Sequence, residues 1–572
     1  MRPLAIPLCK IVVLALTLLS ACAPSKPAGL DLEVAGRIDQ LFERWNNLNS
    51  PGCAAGVARG GRMIYERGFG SADLDHHIAN APTTVFPIGS NSKQFTAMVV
   101  ALLAEDGLLS LDDDVRRWVP ELPAYARPIT VRDLLHHTSG LRDYNALRFL
   151  SGTPPDYVDL GWVLHLLSRQ RGTHFPAGEK YEYSNSNYVL ARVVAERASG
   201  STLRQLARER IFEPLGMRST TWDETGRRVV HNRATPYTGG GRDGWRIALG
   251  TTLAGSGGLW TTIEDLLRWD ENFYHNRLGK GDPALVRRAV EPSRQSVEAG
   301  RTADDDHRDG YGFGIYLGRH HGRPIQWHAG RGPGHVGDMA RYPRQHVSVF
   351  CLCNATIDTR FLARKMADLV LGEPAEKQAA APAYVSLPQA VIAASAGDYL
   401  NPVTGTVWSL STAASEPGKV GLDVSGVDYI LSPTGPGELF FTDPPLGWRV
   451  TIDRDEKGRG TRLNLFEEGV ETAHYDRLGE PPSPAVLAAY AGTYDCDELD
   501  NPYTLEVVNG ALQLRTKVQP NGTLAFGGPD RFILPTEWFT LIFQFTHDAR
   551  GRVTGFRLDS GGANGFRFER RL

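Results

Sequence analysis

The chain has 572 residues, 41% of them hydrophobic and 22% charged, with a formal net charge of −3. That length exceeds one hydrophobic core and implies about two to four domains. The composition is that of ordinary globular protein, and the balanced charge supplies no field that would point to nucleic acid or an anionic membrane surface.

The first residues, "MRPLAIPLCKIVVLALTLLSACAPSKPAG", set Arg2 and Lys10 around an apolar run, 11–19, that is too short to span a bilayer. Residues 1–21 read as an export signal. Small residues lead to Cys22 in "LSAC", which resembles the bacterial lipobox, whose cysteine is lipidated after cleavage. The resemblance implies a lipid-anchored protein of the bacterial periplasm or cell surface, and Ala23 points to the outer membrane. Residues 22–34 read as a tether.

Residues 53–70 read as two strands around a Gly-Gly turn. Helical patterns follow at about 92–106, 131–137, 160–169 and 187–198. In "GSGGLWTTIEDLLRWDENFY" (255–274) a threonine cap opens another helix. Near 311–353, three strand-like runs are separated by "HHG" and "YPRQ" turns, and a helix at about 358–371 closes this part. Strands at both ends with helices between predict an α+β domain over 35–371 whose sheet pairs its two ends. Cys53, Cys351, Cys353 and Cys496 suggest no disulfide framework. Cys351 and Cys353, two apart in "VSVFCLCNA", share a strand face and read as core.

Residues 372–389 are rich in Pro and Ala and read as a linker. Beyond them "ASAGDY" (394–399) recurs as "AYAGTY" (489–494), and "DEKGRGTRLNL" (455–465) recurs as "DARGRVTGFRL" (548–558). The repeat predicts two small antiparallel β-barrel domains, 390–480 and 481–572.

Three short motifs carry chemistry. In "FPIGSNSKQFTAMV" (86–99), Ser90 and Lys93 fall at a helix start, about one turn apart on one face. They read either as a cap and a solvated lysine or as a nucleophile and its base, because a partly buried amine can stay neutral. Tyr183 and Asn185 lie in a loop, "YEYSNSN", that leads into a helix. They read as a proton relay with a carbonyl-holding amide, or as packing and capping residues. His328 and Gly330 lie on a predicted strand, in "PIQWHAGRGPGHVGDMARYP", where glycine lets a substrate approach the strand backbone closely. The His-x-Gly of "HHG" (320–322) reads as a solvated hairpin tip. No motif calls for a cofactor or a metal; the acidic "ADDDHRD" (303–309) reads as a solvated loop.

The order Ser-x-x-Lys, Tyr-x-Asn, His-x-Gly resembles the serine beta-lactamase and penicillin-binding protein superfamily, on the branch of class C beta-lactamases, D-aminopeptidases and esterases. "VPELPAYARPITVRDLLHHTSGLRDY" (119–144), "FEPLGMRST" (212–220), "GSGGLWTTIEDLLRW" (255–269) and "YGFGIYLG" (311–318) are similar to that family's framework segments. The β repeats are similar, more loosely, to the lipocalin-like pair of D-aminopeptidases, in which the second copy reaches into the active site. The resemblance implies that Ser90 is acylated and that Lys93 and Tyr183 share proton transfer. Asn185 would orient Lys93 and substrate, His328 and Gly330 would line the site, and the N–H groups of Ser90 and Arg331 would form an oxyanion hole.

It further implies a serine hydrolase of D-amino-acid amides or short peptides, cell-wall compounds among them. The alternatives are an esterase, a weak beta-lactamase or carboxypeptidase, or a penicillin-binding sensor or scaffold without turnover. Relatives that bind carboxylates carry lysine where this chain has His328. An imidazole is mostly neutral at pH 7, which weakens a carboxylate anchor. Arg331 would restore that charge if its side chain pointed inward.

Overall fold

A computed structural model describes residues 29–571, apart from 155–157, 224–227, 242–243, 249, 251–252, 300–306, 373–382, 403–404, 414–415, 417, 425–426, 442–447, 468–469, 519 and 537–539. The signal segment and Cys22 lie outside the described residues, as do most of the acidic 303–309 stretch and much of the 372–389 linker.

A seven-stranded antiparallel sheet forms the first part of the molecule. Its order is His307–Tyr311, Tyr316–His320, Arg323–Gly332, His335–Tyr342, Val347–Cys353, Cys53–Arg59, Arg62–Phe69. The expected pairing of the two ends is present: Cys53–Arg59 lies antiparallel to Val347–Cys353 and is buried along nearly its whole length. The run expected as one strand between the "HHG" and "YPRQ" turns is two strands. Pro333 and Gly334 turn the chain, and Gly334 has φ +63° with the Tyr237 backbone too close for a Cβ.

Two helices pack on each other behind the sheet, Lys93–Glu105 and Asn185–Ser199. Both are buried on every face over most of their length, which is why their sequences show little polar stripe. The helix at Ile263–Glu271 starts at Thr262, whose side chain accepts from the Asp265 N–H, as the sequence predicts. On this helix Asp270 is fully buried. It accepts from Arg341 Nε (2.6 Å) and Ser348 Oγ (2.7 Å), tying the helix to two inner strands. Desolvation raises the Asp270 pKa despite the guanidinium beside it.

Four details differ from expectation. Cys53 and Cys353, directly opposite in the sheet, form a disulfide, because the pairing of the two chain ends sets them face to face. Cys351 stays a buried free thiol on the same strand face. His320 of "HHG" is buried, with Nε2 2.7 Å from Asp368 Oδ1 on the Thr359–Leu371 helix; His321 alone lies at the turn. The helix Leu32–Leu41, capped by Asp31, begins inside the expected tether. The end of the expected linker is bound to the first barrel, with Val385 N–H donating to Pro433 O and Leu387 N–H to Gly418 O.

The C-terminal part is two antiparallel barrel-like units. The first is a closed barrel from Gly397–Leu400 round to Val470–Arg477. The second is a nine-stranded sheet whose end strands, Gly522–Thr523 and Ala525–Gly528, are consecutive in the chain, so it curls back on itself. The repeated motif has one physical basis. Gly397 and Gly492 adopt φ +145° and +154°, and an arginine of the last strand, Arg477 or Arg570, covers each where a Cβ would sit. Tyr399 and Tyr494 each donate to a carbonyl four residues back. The first barrel has a core of its own, whereas the second shares the core of the α+β part.

Replacing Arg341 with Met leaves the Asp270 carboxyl buried without its partner. The expected loss is about 3–5 kcal/mol, and Asp270→Asn added to Arg341→Met recovers most of it. Denaturant midpoints test this: a single variant as stable as the parent would remove the pair from the account of the fold.

Candidate active site

Ser90 lies in a single 3-10 turn, Gly89–Ser92, that runs straight into the Lys93 helix. The turn is wedged against the sheet. Gly89 has φ +50°, and a Cβ there would meet the Arg331 N–H at 2.7 Å; a Cβ on Gly330 would meet Ile88 O at 1.9 Å and Ser90 N at 2.8 Å. Glycine at both positions lets the serine backbone and the strand backbone touch, so at Gly330 the group that approaches is the serine turn itself. Ser92 Oγ locks the turn by donating to Gly89 O (2.6 Å), and it accepts from Leu259 N–H.

Lys93 has no solvent exposure. Its Nζ reaches Ser90 Oγ at 2.9 Å, Asn185 Oδ1 at 2.8 Å and the Ser256 carbonyl at 2.7 Å. The "GSGG" segment supplies that carbonyl because Gly255, φ +101°, tucks under the Tyr188 carbonyl where a Cβ would clash at 2.5 Å. "YGFG" closes the other side, with Gly314 against the backbone of Lys93 and Gln94. Burial lowers the Lys93 pKa to about 7, and the Asp143 carboxylate opposes that shift. A neutral amine has two N–H groups for Asn185 and Ser256 and a lone pair for the Ser90 hydroxyl, which is the geometry of a general base.

The Tyr183 ring lies 4.9 Å from Lys93 Nζ, and its hydroxyl faces Ser90 closely enough to interact with it. Burial, helped by the neighbouring Tyr316, pushes the hydroxyl well above its ordinary value, and the Ser90 side chain only partly opposes this. Tyr183 therefore keeps its proton and is suited to pass one on rather than to take one from Ser90.

His328 is brought beside Tyr183, with ring centroids 6.2 Å apart, inside a cluster that includes Tyr311 and Tyr316. Its Nδ1 lies 2.6 Å from the Ala329 carbonyl and so carries a proton. Its Nε2 faces the Tyr311 hydroxyl at 3.2 Å. The Arg331 side chain is exposed. It acts on Tyr429 of the first barrel, opposing the rise that burial imposes on that hydroxyl.

Sequence reasoning missed three contributors. Asp143 accepts from Asn185 N–H and Nδ2–H; the Ser256 carbonyl holds Lys93; His137, in the left-handed region at φ +58°, packs its ring 4.3 Å from Tyr183. Asp143 and His137 both lie in the framework segment 119–144, and Ser256 in 255–269. The resemblance located those segments without saying which atoms they contribute.

The beta-lactamase family model matches residues 38–373. A D-aminopeptidase of Brucella ovis is 28% identical over 92% of this chain and 96% of its own length. A D-aminopeptidase of Brucella anthropi is 27% identical over 89% of this chain and 93% of its own. Among solved structures, the octameric penicillin-binding protein homologue from Pyrococcus abyssi superposes with a TM-score of 0.52 at 20% identity, over 78% of this chain and 97% of that one. With the antiparallel sheet, the buried lysine and the serine turn in place, the chain belongs to the beta-lactamase family and is a serine hydrolase.

Proposed function

We propose that this protein is an exported hydrolase of D-amino-acid amides or short D-peptides that works through a Ser90 acyl-enzyme. The observation that carries the reading is the Lys93 amine, buried without solvent contact and held 2.9 Å from Ser90 Oγ. Neutral Lys93 takes the Ser90 proton as Oγ attacks the scissile carbonyl. The N–H groups of Ser90 and Arg331, brought together by Gly89 and Gly330, receive the oxyanion. Tyr183 passes a proton to the leaving amine as it takes one back from the Lys93 ammonium, which returns that amine to its neutral form, and Asn185 holds Lys93. Water then cleaves the ester by the reverse relay.

The substrate class rests on two supports. Both Brucella relatives are named D-aminopeptidases, and each is matched over about nine-tenths of this chain or more, a span that includes the barrels. The His328 position is an imidazole, engaged with Ala329 and Tyr311, rather than a permanently charged side chain, and the exposed Arg331 acts on Tyr429 of the first barrel. Both features disfavour beta-lactams and favour an amide or ester beside a free amine. Export is supported by the signal-like 1–21 segment and by the Cys53–Cys353 disulfide, which suits an oxidising compartment.

D-alanine p-nitroanilide, its L-enantiomer, p-nitrophenyl butyrate and nitrocefin, each against wild type and Ser90→Ala, test the substrate. The D-amide turns over fastest and Ser90→Ala is inactive on all four. Fast nitrocefin turnover with no action on the D-amide would overturn the ranking. Because only the neutral amine accepts the Ser90 proton, kcat/KM rises with pH through a midpoint near 7. Lys93→Ala loses about a hundred- to ten-thousand-fold; a flat profile across neutral pH would sink the role given to Lys93. Wild type partitions with membranes while Cys22→Ser is released, and equal solubility of the two would refute the lipid anchor.

A further inference from the structure

The Asp143 carboxylate is buried and serves two helices at once. Oδ1 accepts from the Asn145 N–H (2.8 Å), capping the Tyr144–Leu150 helix. Oδ2 accepts from the Asn185 N–H (2.6 Å) at the start of the Asn185–Ser199 helix, whose own cap residue, Ser184, makes no side-chain cap bond. It also accepts from Asn185 Nδ2 at 2.8 Å. That last bond fixes which end of the amide faces Lys93: the NH2 group is held by Asp143, so Oδ1 points at Nζ. Two helix N-termini favour a negative charge at this point.

Asp143 is in turn gripped by the second barrel. Its N–H donates to the Gly562 carbonyl at 2.8 Å. The preceding residue, Arg142, is 6% exposed, stacks 4.2 Å over the Phe566 ring and donates to the Asn564 carbonyl and to Glu498 Oε2 at 2.6 Å. The 560–565 loop also sends the Asn564 N–H to His174 Nε2 at 2.9 Å. The strands Arg531–Pro535 and Thr540–His547, by contrast, face the core with Ile533, Leu541, Phe543 and Phe545.

We propose that Asp143 is a positioning residue of the reaction, which fixes the Asn185 amide toward Lys93, and that the second barrel holds Asp143 in place. The inference rests on the acyl-enzyme reading of Ser90 and Lys93 and does not depend on the substrate. The groups facing the Lys93 amine are the Tyr183 and Tyr188 rings, at 4.9 and 5.7 Å, together with His137 and, beyond Tyr183, His328. Asp143 contributes the negative charge, and that charge raises the amine's pKa against its burial. The second barrel thus reaches the reaction centre through one carboxylate, without placing a residue on the nucleophile.

The rate of Ser90 labelling by a fluorophosphonate, measured against pH in the full chain, tests this. Asp143→Asn keeps the shape and removes the charge. Misplacing Asn185 costs about a hundredfold at the plateau, and losing the opposite charge moves the acid limb down by about one pH unit. Glu498→Gln touches no group of the site, so a smaller slowing with the limb displaced in the same direction identifies the barrel's part. Circular dichroism and thermal melting establish that each variant is folded. Slower labelling with an unmoved limb would make Asp143 merely structural and overturn the proposal, as would wild-type rates in Asp143→Asn. Wild-type behaviour of Glu498→Gln would remove the barrel from it. A wild type that is never labelled would overturn the acyl-enzyme reading itself, a result separable from all of these.

Discussion

The burial of one amine organises this molecule. An ammonium group without solvent contact is costly unless it is surrounded by acceptors or gives up its proton. Here both happen in part. Ser90, Asn185 and the Ser256 carbonyl surround Lys93 Nζ, and its pKa falls to about 7. Each acceptor comes from a different part of the chain: the serine turn, the helix after the Tyr-x-Asn motif and the Gly-rich segment before Ile263–Glu271. The core packing of the two buried helices is what brings them to one point, so stability and chemistry share the same contacts.

Backbone proximity is the second constraint. The serine turn and the Arg323–Gly332 strand approach more closely than side chains allow, and the glycines at 89 and 330 are the consequence. Gly255 and Gly314 perform the same service for the segments on either side of Lys93. These four positions explain why the framework motifs are written in glycine. They let the serine turn, the Arg323–Gly332 strand and the segments around Gly255 and Gly314 pack backbone against backbone around Lys93.

The two barrels arise from one repeated unit yet stand in different relations to the catalytic part. The first keeps its own core and approaches the exposed Arg331 through Tyr429. The second merges its core with the catalytic part and adds buried polar contacts, among them Arg142–Glu498 and the bonds from Asn501 and Tyr503 to the Leu150 carbonyl. A shared core makes the second barrel part of the folding unit. The 28% identity to the Brucella D-aminopeptidases extends over this whole arrangement.

Local sequence determined a good deal. Helical patterns marked the helices at 93–105, 185–199 and 359–371, although the first two carry little polar stripe. The Gly-Gly turn marked the first hairpin, the threonine cap marked the start of 263–271, and the recurring Ala-Gly-x-Tyr marked two copies of a β unit. These are legible because hydrophobic period, caps and turns act within a few residues. The motifs holding Ser90, Lys93, Tyr183, Asn185, His328 and Gly330 were legible because spaced motifs survive as text, and the structure brings those residues together. What the sequence could not state were distances between segments. Cys53 and Cys353 are 300 residues apart and meet only when the sheet pairs its ends. His320 is buried only because a helix lies across its hairpin. The raised pKa of Tyr183 comes from its burial, with Tyr316 beside it. Asp143 is an unremarked residue in "LRDY" until two helix starts and a loop from the far end of the chain converge on it. Burial and electrostatics are properties of neighbours in space, and tertiary structure alone decides who those neighbours are.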